Sequence, residues 1–487
     1  MKSIRESAHP TDLPIKVAQF GEGNFLRAFA DWMIDTANEK HIFNGSVAII
    51  KPTSHGDLQR FESQNNLYTV CLRGKRNGTV CNDKRIITSV RKSINCYTDY
   101  PSFSALAALP SLEVVISNTT EAGIVYDETD RLDMSPPKSY PGKLTQFLYT
   151  RYRAFDGDPK KGLLILPVEL LEDNGKALKQ CVLKFAGLWK LEQKFVDWVN
   201  NACIFCSTLV DRIVTGYPGQ EEAGRICQEL GYDDELLDVA EPFALWVIEG
   251  PAEAEKIFPL DKAGLPVVFT RNQRPYRERK VRILNGAHTS TVLAGYLMGK
   301  DIVRECMEDS LIRRYMETIV RKEIVPTVKL PRKDALAFAD AVFERFENPF
   351  VRHQLLSISL NSISKWKARL LPTFEDIYQT AGQPPKLISF SFAALLAFYT
   401  SQQKRDGALI GSRNGQPYEI HDTEAVLDFF CENSGASVQD YVTAVMQNTS
   451  FWGKDLTQFE GFANAVCKDL SDIRTNGMTT AMEHILV

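Results

Sequence analysis

The chain has 487 residues, 57 basic against 61 acidic for a net charge of −4, and 44% hydrophobic residues. That length requires more than one domain, and the ordinary composition excludes a disordered or fibrous chain. The near-balanced charge gives no reason to expect a nucleic-acid or anionic-membrane partner.

The opening MKSIRESAHPTDLP is polar and lacks the apolar core of a signal segment. Residues Ile15–Phe20 read as a short buried strand. They run into Phe20-Gly21-Glu22-Gly23-Asn24-Phe25-Leu26-Arg27 and a helical stretch to Ala37. Glycines between a first strand and a first helix let backbone N–H groups and the helix N-terminus approach a pyrophosphate. The third glycine of the usual dinucleotide fingerprint is absent, and an ordinary strand–helix turn remains an alternative. Arg27 either adds positive charge beside a phosphate or lies on the solvent face.

A second strand is expected at Ser46–Ile50. It ends in Lys51 rather than in the acid that would bind an adenosine ribose. Lys51 suits a 2′-phosphate instead, so NAD and NADP both stay open. Residues Leu67–Asn95 alternate apolar and polar around Asn77-Gly78, which suggests an antiparallel insertion. Leu112–Ser117 is the next buried strand and ends in Asn118-Thr119. Helices at Lys143–Phe155 and Ala177–Trp189 then alternate with strands at Gly162–Val168 and Cys203–Val210, the order of a parallel, doubly wound sheet. Asn174-Gly175 reads as a turn. Cys203 and Cys206 form the one C-x-x-C among ten cysteines, inside an apolar run, and read as buried reduced thiols. Dispersed cysteines and histidines point to a reducing cytoplasm and no metal site.

Beyond residue 270 long helical patterns take over, so residues 1–272 and 273–487 are expected as two domains. Helices are expected at Tyr276–Met298, Ser310–Ile324, Lys333–Phe346, Gln354–Leu371, Leu387–Thr400, Thr423–Glu432 and Ser437–Gln447. The greasiest of these, Leu387–Tyr399, falls short of the ~20 residues of a membrane span and reads as a buried helix. The first carries Lys280, Asn285 and His288. At about 100° per residue Asn285 stands roughly 140° and His288 roughly 80° from Lys280, so all three can face one cleft. An amine, an amide and an imidazole around one oxygen suit carbonyl–alcohol chemistry, where one group moves a proton and others hold the developing oxyanion. An amphipathic helix with a polar face is the alternative. Arg271, Arg274, Arg277, Arg279 and Arg282 surround Lys280, a local excess that would attract an anionic substrate. Arg345, Arg352, His353, Lys365, Lys367 and Arg369 make a second stretch rich in basic residues.

Taken together, the runs QFGEGNFLRAF (19–29), SNTTEAGI (117–124), FCSTLVDRIVTGYP (205–218), RKVRILNGAHT (279–289) and NPFVRHQLLSISLN (348–361) resemble the mannitol-dehydrogenase family of long-chain polyol dehydrogenases. The likeness is greatest to members acting on hexuronates. It implies an α/β N-terminal Rossmann-like domain and a mostly α-helical C-terminal domain like that of 6-phosphogluconate dehydrogenase, with the active site between them. It also implies metal-independent hydride transfer with NAD(H), in the reversible reduction of tagaturonate to altronate. Fructuronate or a mannitol-type polyol would be the alternative substrate. By position, the resemblance makes Lys280 the general acid/base, Asn285 the holder of the substrate oxygen and His288 a substrate ligand that helps organise the lysine. Asp211 would line the pocket or pair with Arg212. Lys365, then Arg369, would hold the substrate carboxylate. Residues 20–25, Arg27, Asn118 and Thr119 would bind the cofactor. One departure is that Glu169 and Leu170 stand where polyol-oxidising relatives carry an aspartate and a second oxyanion-site asparagine, so Glu169, Asn174 or a backbone amide would have to substitute. The protein is expected to be a monomer or small homo-oligomer.

Overall fold

A computed structural model describes residues 1–119 and 123–487. Thr120, Glu121 and Ala122 of the 117–124 run lie outside the described residues. The chain divides into two compact units, Met1–Gln273 and Arg274–Val487.

The first unit is built on six parallel strands: β1 (Ile15–Phe20), β2 (Ser46–Lys51), β3 (Val90–Asn95), β4 (Val114–Ser117), β5 (Leu164–Pro167) and β6 (Ile204–Phe205). Their order across the sheet is β3-β2-β1-β4-β5-β6. This is the doubly wound dinucleotide-binding order, and it reverses between β1 and β4, where ligands bind outside the carboxyl ends of the strands. Both faces are covered, so the strands read as continuous apolar runs rather than alternating ones. Val17, Val47 and Val114 pack into one core, and Ala18, Ala48 and Val115 into another.

Helix α1 spans residues 24–39 and contains a π segment, Arg27–Asp31. Helices α2 (Tyr140–Ala154) and α3 (Asn174–Leu188) cover the sheet and begin before the expected starts. Asn174 opens α3 rather than forming a turn. The insertion is smaller than expected. Tyr68–Arg76 and Thr79–Ile87 do pair as an antiparallel hairpin through Asn77-Gly78, both at positive φ. Val90–Asn95, however, is β3, the edge of the parallel sheet. The expected strand Cys203–Val210 also divides. Ile204–Phe205 pairs with β5, and Ser207–Asp211 turns away to pair antiparallel with Leu245–Glu249.

The second unit is mostly helical. Its first helix, α4 (residues 274–297), comprises Arg274–Arg279, a π segment at Lys280–Asn285 and Gly286–Leu297. Next come Ser310–Ile319, α5 (Arg332–Phe346), α6 (Ser362–Arg369), α7 (Lys386–Phe398) and the long C-terminal α8 (Phe462–Ile485). The apolar α7 is buried and packs on α4 and α8. The expected helix Gln354–Leu371 is two helices, Leu355–Ser359 and α6, because Asn361 sits between them at φ 54°. A three-stranded antiparallel sheet over residues 404–420 was not expected. Among the described residues no helix is long and apolar enough to cross a membrane.

Candidate active site

In the first unit the glycine turn leaves the carboxyl end of β1, and Asn118-Thr119 leaves that of the neighbouring β4. Gly21 donates its N–H to Ile50 O (3.0 Å) and Asn118 to Phe20 O (3.1 Å), which ties both turns to the sheet. Gly21 has φ 129°, and a Cβ there would meet Asn118 O at 3.0 Å. Close approach of two backbones demands this glycine. Gly23 differs, since a Cβ there meets nothing within 4 Å. It caps α1 without a side-chain bond, so the helix N-terminus opens onto space that a side chain would occupy. This cradle fits the pyrophosphate of a dinucleotide.

The side chains around it are largely committed to the protein. The Phe20 ring packs on Phe103, Tyr140 and Phe147, leaving only its backbone toward the turn. Phe25 stacks on Phe29. Arg27 is buried. It donates to Asn24 Oδ1 and Leu236 O, pairs with Asp238 at 3.7 Å and lies over the Tyr68 ring. Arg27 therefore does not lie on the solvent face: its charge braces the start of α1 from within. Lys51, 2% exposed, pairs with Glu22 at 3.3 Å and bonds Thr53. Its charge is therefore met by the turn's own carboxylate, which removes the reason to expect a 2′-phosphate there.

Glu169 follows β5 and is buried beside β4. It accepts hydrogen bonds from Ser117 Oγ (3.1 Å), the Thr119 N–H (3.0 Å) and Thr119 Oγ1 (3.0 Å), and burial pushes its carboxyl upward. Its work here is to hold the turn after β4. Leu170 is 64% exposed. Asn174 donates to the carbonyls of Pro167, Glu169 and Thr208 and accepts from the N–H groups of Gly175 and Thr208. That full set clasps β5 to the Ser207–Asp211 strand and rules Asn174 out as a substitute oxyanion donor. Asp211 ends that strand, buried. The Arg212 guanidinium bonds the carbonyls of Ala28, Glu241, Pro242 and Phe243 and stacks on Trp32. Burial lowers Arg212 to about 9. Cys203 and Cys206 are free thiols, each pushed up to about 12 by burial.

In the second unit the π segment changes the geometry read from the sequence. The Gly286 N–H reaches back to Val281 O, five residues earlier. Bonding of this kind winds the chain more widely than an α-helix. Residues five apart are thereby brought closer to one face, so Lys280 and Asn285 converge more than the roughly 140° of a regular α-helix allows. Both are half-buried. His288 follows where α geometry has resumed. It is buried, its ring stacked on Phe346 (centroids 4.2 Å apart) and edge-on to His353 (5.3 Å). Its Nε2 is buried and has no hydrogen-bond partner among the described residues. Burial, then the charges of His353, Arg369, Arg345 and Lys365, hold His288 well below the ordinary histidine range. The ring is neutral at neutral pH, able to share a hydrogen bond with a hydroxyl.

Three of these neighbours, Arg345, Lys365 and Arg369, form a cationic floor around His288, while burial lowers His353 below the ordinary histidine range. Lys365 donates to Ile358 O (2.9 Å) and Arg369 to Thr289 Oγ1 (3.2 Å). Both are lowered by burial first, and Lys365 next by Arg369. The structure thus gathers His288, Lys365 and Arg369, and adds Arg345 and His353 from α5 and the segment after it. The arginines beside Lys280 are otherwise arranged. Arg274 pairs with Glu278, Arg282 with Asp376, and Arg279 lies buried over Phe338. Arg274 and Arg282 each meet a carboxylate, which offsets part of the local excess expected from the sequence.

Residues 15–262 match the Mannitol dehydrogenase Rossmann domain and residues 272–474 the Mannitol dehydrogenase C-terminal domain. The chain belongs to the mannitol dehydrogenase family. It is an oxidoreductase acting on CH–OH groups. Members of the family similar to it include the altronate oxidoreductase of Bacillus subtilis (strain 168), 41% identical over 98% of this chain and 97% of that one. That of Klebsiella pneumoniae (strain 342) is 42% identical over 99% of both chains. Two solved dehydrogenases share the fold. One is Pseudomonas fluorescens mannitol 2-dehydrogenase in a ternary complex with NAD and D-mannitol (TM-score 0.63, 23% identical, 98% of this chain and 95% of that one). The other is a substrate-free D-sorbitol dehydrogenase (TM-score 0.79, 20% identical, 99% of this chain and 100% of that one). The family's Rossmann and helical halves account for the α/β and mostly helical architecture expected from the sequence.

Proposed function

We propose that this member of the mannitol dehydrogenase family interconverts tagaturonate and altronate with NAD(H) in the cytoplasm. The observation that carries the reading is the cationic floor around His288. A sugar acid differs from a neutral polyol by its carboxylate, and Lys365 and Arg369, with the charge of Arg345 added, offer that group a half-buried positive site. Near-full-length identity to altronate oxidoreductases supports the same substrate.

Bound in the cradle at Gly21–Asn24, a nicotinamide dinucleotide supplies the hydride in reduction and accepts it in oxidation. In reduction Lys280 donates a proton to the carbonyl oxygen, and in altronate oxidation it takes that proton back. Asn285 donates an N–H to the same oxygen, and the neutral His288 shares a hydrogen bond with an adjacent hydroxyl. The Glu22–Lys51 pair supports NAD over NADP, because a 2′-phosphate would meet Glu22 beside a lysine already compensated. Initial rates with NADH and NADPH, each on tagaturonate, fructuronate and fructose, test the reading. It expects NADH with tagaturonate to be fastest. Faster turnover of fructuronate would reassign the epimer, and faster fructose would reject a uronate enzyme.

A further inference from the structure

The amino ends of the strands, at the edge of the sheet opposite the glycine turn, frame a second cleft of about 460 Å³. Lys16 on β1, Glu113 before β4 and Gly162 before β5 stand around it. Five cations line it, Lys16, Arg151, Lys160, Lys161 and Lys256, against one carboxylate, Glu113. Glu113 is engaged by Lys16 at 3.5 Å. Lys160 and Lys256 are exposed.

Arg151 is the unusual member. It is 1% exposed. Its Nε donates to Lys161 O (2.7 Å), Nη1 to Ala107 O (2.9 Å) and Leu109 O (3.0 Å), and Nη2 to Leu112 O (2.9 Å). Every one of these partners is a neutral carbonyl. Burial lowers Arg151 to about 10, and no carboxylate among the described residues counters it. A buried charge is costly unless an opposite charge meets it. Here carbonyl dipoles meet the N–H groups and the net charge is left to act on the cleft. With Lys16 offset by Glu113, the ammonium groups of Lys160, Lys161 and Lys256 add to that field, and a partly enclosed wall focuses it.

We propose that this cleft binds a small phosphorylated metabolite carrying at least two negative charges, at a site separate from the cofactor cradle. Lysines are point charges without the fork that matches a planar carboxylate, and they suit a phosphate group. The volume lies within the range of about 300–1,000 Å³ typical of small-molecule sites. The Arg151 fork is already used on carbonyls, so Arg151 contributes charge while the lysines make the contacts.

Inorganic pyrophosphate is the probe, titrated calorimetrically into protein saturated with NADH so that the glycine turn is occupied. Binding at sub-millimolar concentration, weakening as sodium chloride is raised, is expected for the unmodified chain. Lys160→Glu combined with Lys256→Glu should weaken it at least tenfold while turnover is retained. If that pair fails to fold, Lys160→Gln with Lys256→Gln should still weaken binding measurably. Absence of binding at millimolar pyrophosphate, equal binding by the folded variants, or displacement of pyrophosphate by NADH would overturn the proposal.

Discussion

Lys280 sits at the start of a π turn, and the chemistry assigned to it is proton transfer. Lys280→Ala should lower turnover on tagaturonate by about 10²–10⁴-fold, the range for losing a general acid–base, while the thermal melting point stays near that of the parent. Near-parental turnover in a stopped-flow NADH assay would remove Lys280 from the reaction. A different residue sets a pH dependence of the fold. Asp31 is fully buried in the first unit, accepting from Tyr68 (2.7 Å) and Gln19 (3.2 Å), and burial pushes it up to about 7 from an ordinary 3.8. The fold therefore holds this proton more tightly than the unfolded chain does. The resulting stabilisation is complete below the ordinary carboxyl range and fades as pH rises through about 7. The slope approaches ~1.4 kcal/mol per pH unit for one proton. Asp238 is raised to about 7 in the same way and adds to the trend. Asp31→Asn should raise the melting point at alkaline pH and flatten its fall, read by calorimetry across the neutral range. An unchanged profile would show that Asp31 ionises freely in the fold.

At the scale of elements, the two glycines after β1 do different work. Gly21→Ala places a Cβ at 3.0 Å from Asn118 O in a backbone region that side chains avoid, and should destabilise the unit by about 1–3 kcal/mol. Gly23→Ala meets no protein atom within 4 Å, so stability should hold while the cofactor KM rises. Chemical denaturation and cofactor titration separate the two, and a stability loss at Gly23 would contradict the cradle. The contrast also shows what was legible in the chain. Strand–glycine–helix order is a local signal, and it located the turn and the parallel strands other than β3; helical periodicity located α4, α5 and α7 but not the C-terminal α8. The π segment was not legible, because the periodicity of KVRILNGAH satisfies an α-helix equally well and only the backbone bonding distinguishes them. Nor was the break at Asn361, where a left-handed residue ends one helix and starts another without glycine or proline to mark it. Assigning β3 to the hairpin failed for a related reason: alternation persists through Val90–Asn95, and pairing with β2 is set by tertiary structure. Arg345 and His353 carried only a signal of local basic composition. Their convergence on His288 depends on how α5 and the following segment pack against α4.

For the whole molecule, the first unit carries a glycine cradle whose charged side chains are paired internally, and the second carries the π turn to which proton transfer is proposed and a cationic floor around His288. The sequence suggested that arginines flanking Lys280 would draw in an anionic substrate. The fold pairs Arg274 and Arg282 with carboxylates, and the proposed function places the discriminating positive charge around His288. Discrimination between acid and neutral sugars should then reside in Lys365 and Arg369. The most direct test is the ratio of kcat/KM for tagaturonate to that for fructose, measured with NADH in the parent and in Lys365→Ala. A hydrogen bond to a charged group is worth about 1.5–3 kcal/mol, so the ratio should fall about tenfold to a hundredfold, with the loss confined to the uronate. Equal losses on both substrates would contradict a carboxylate held by this floor.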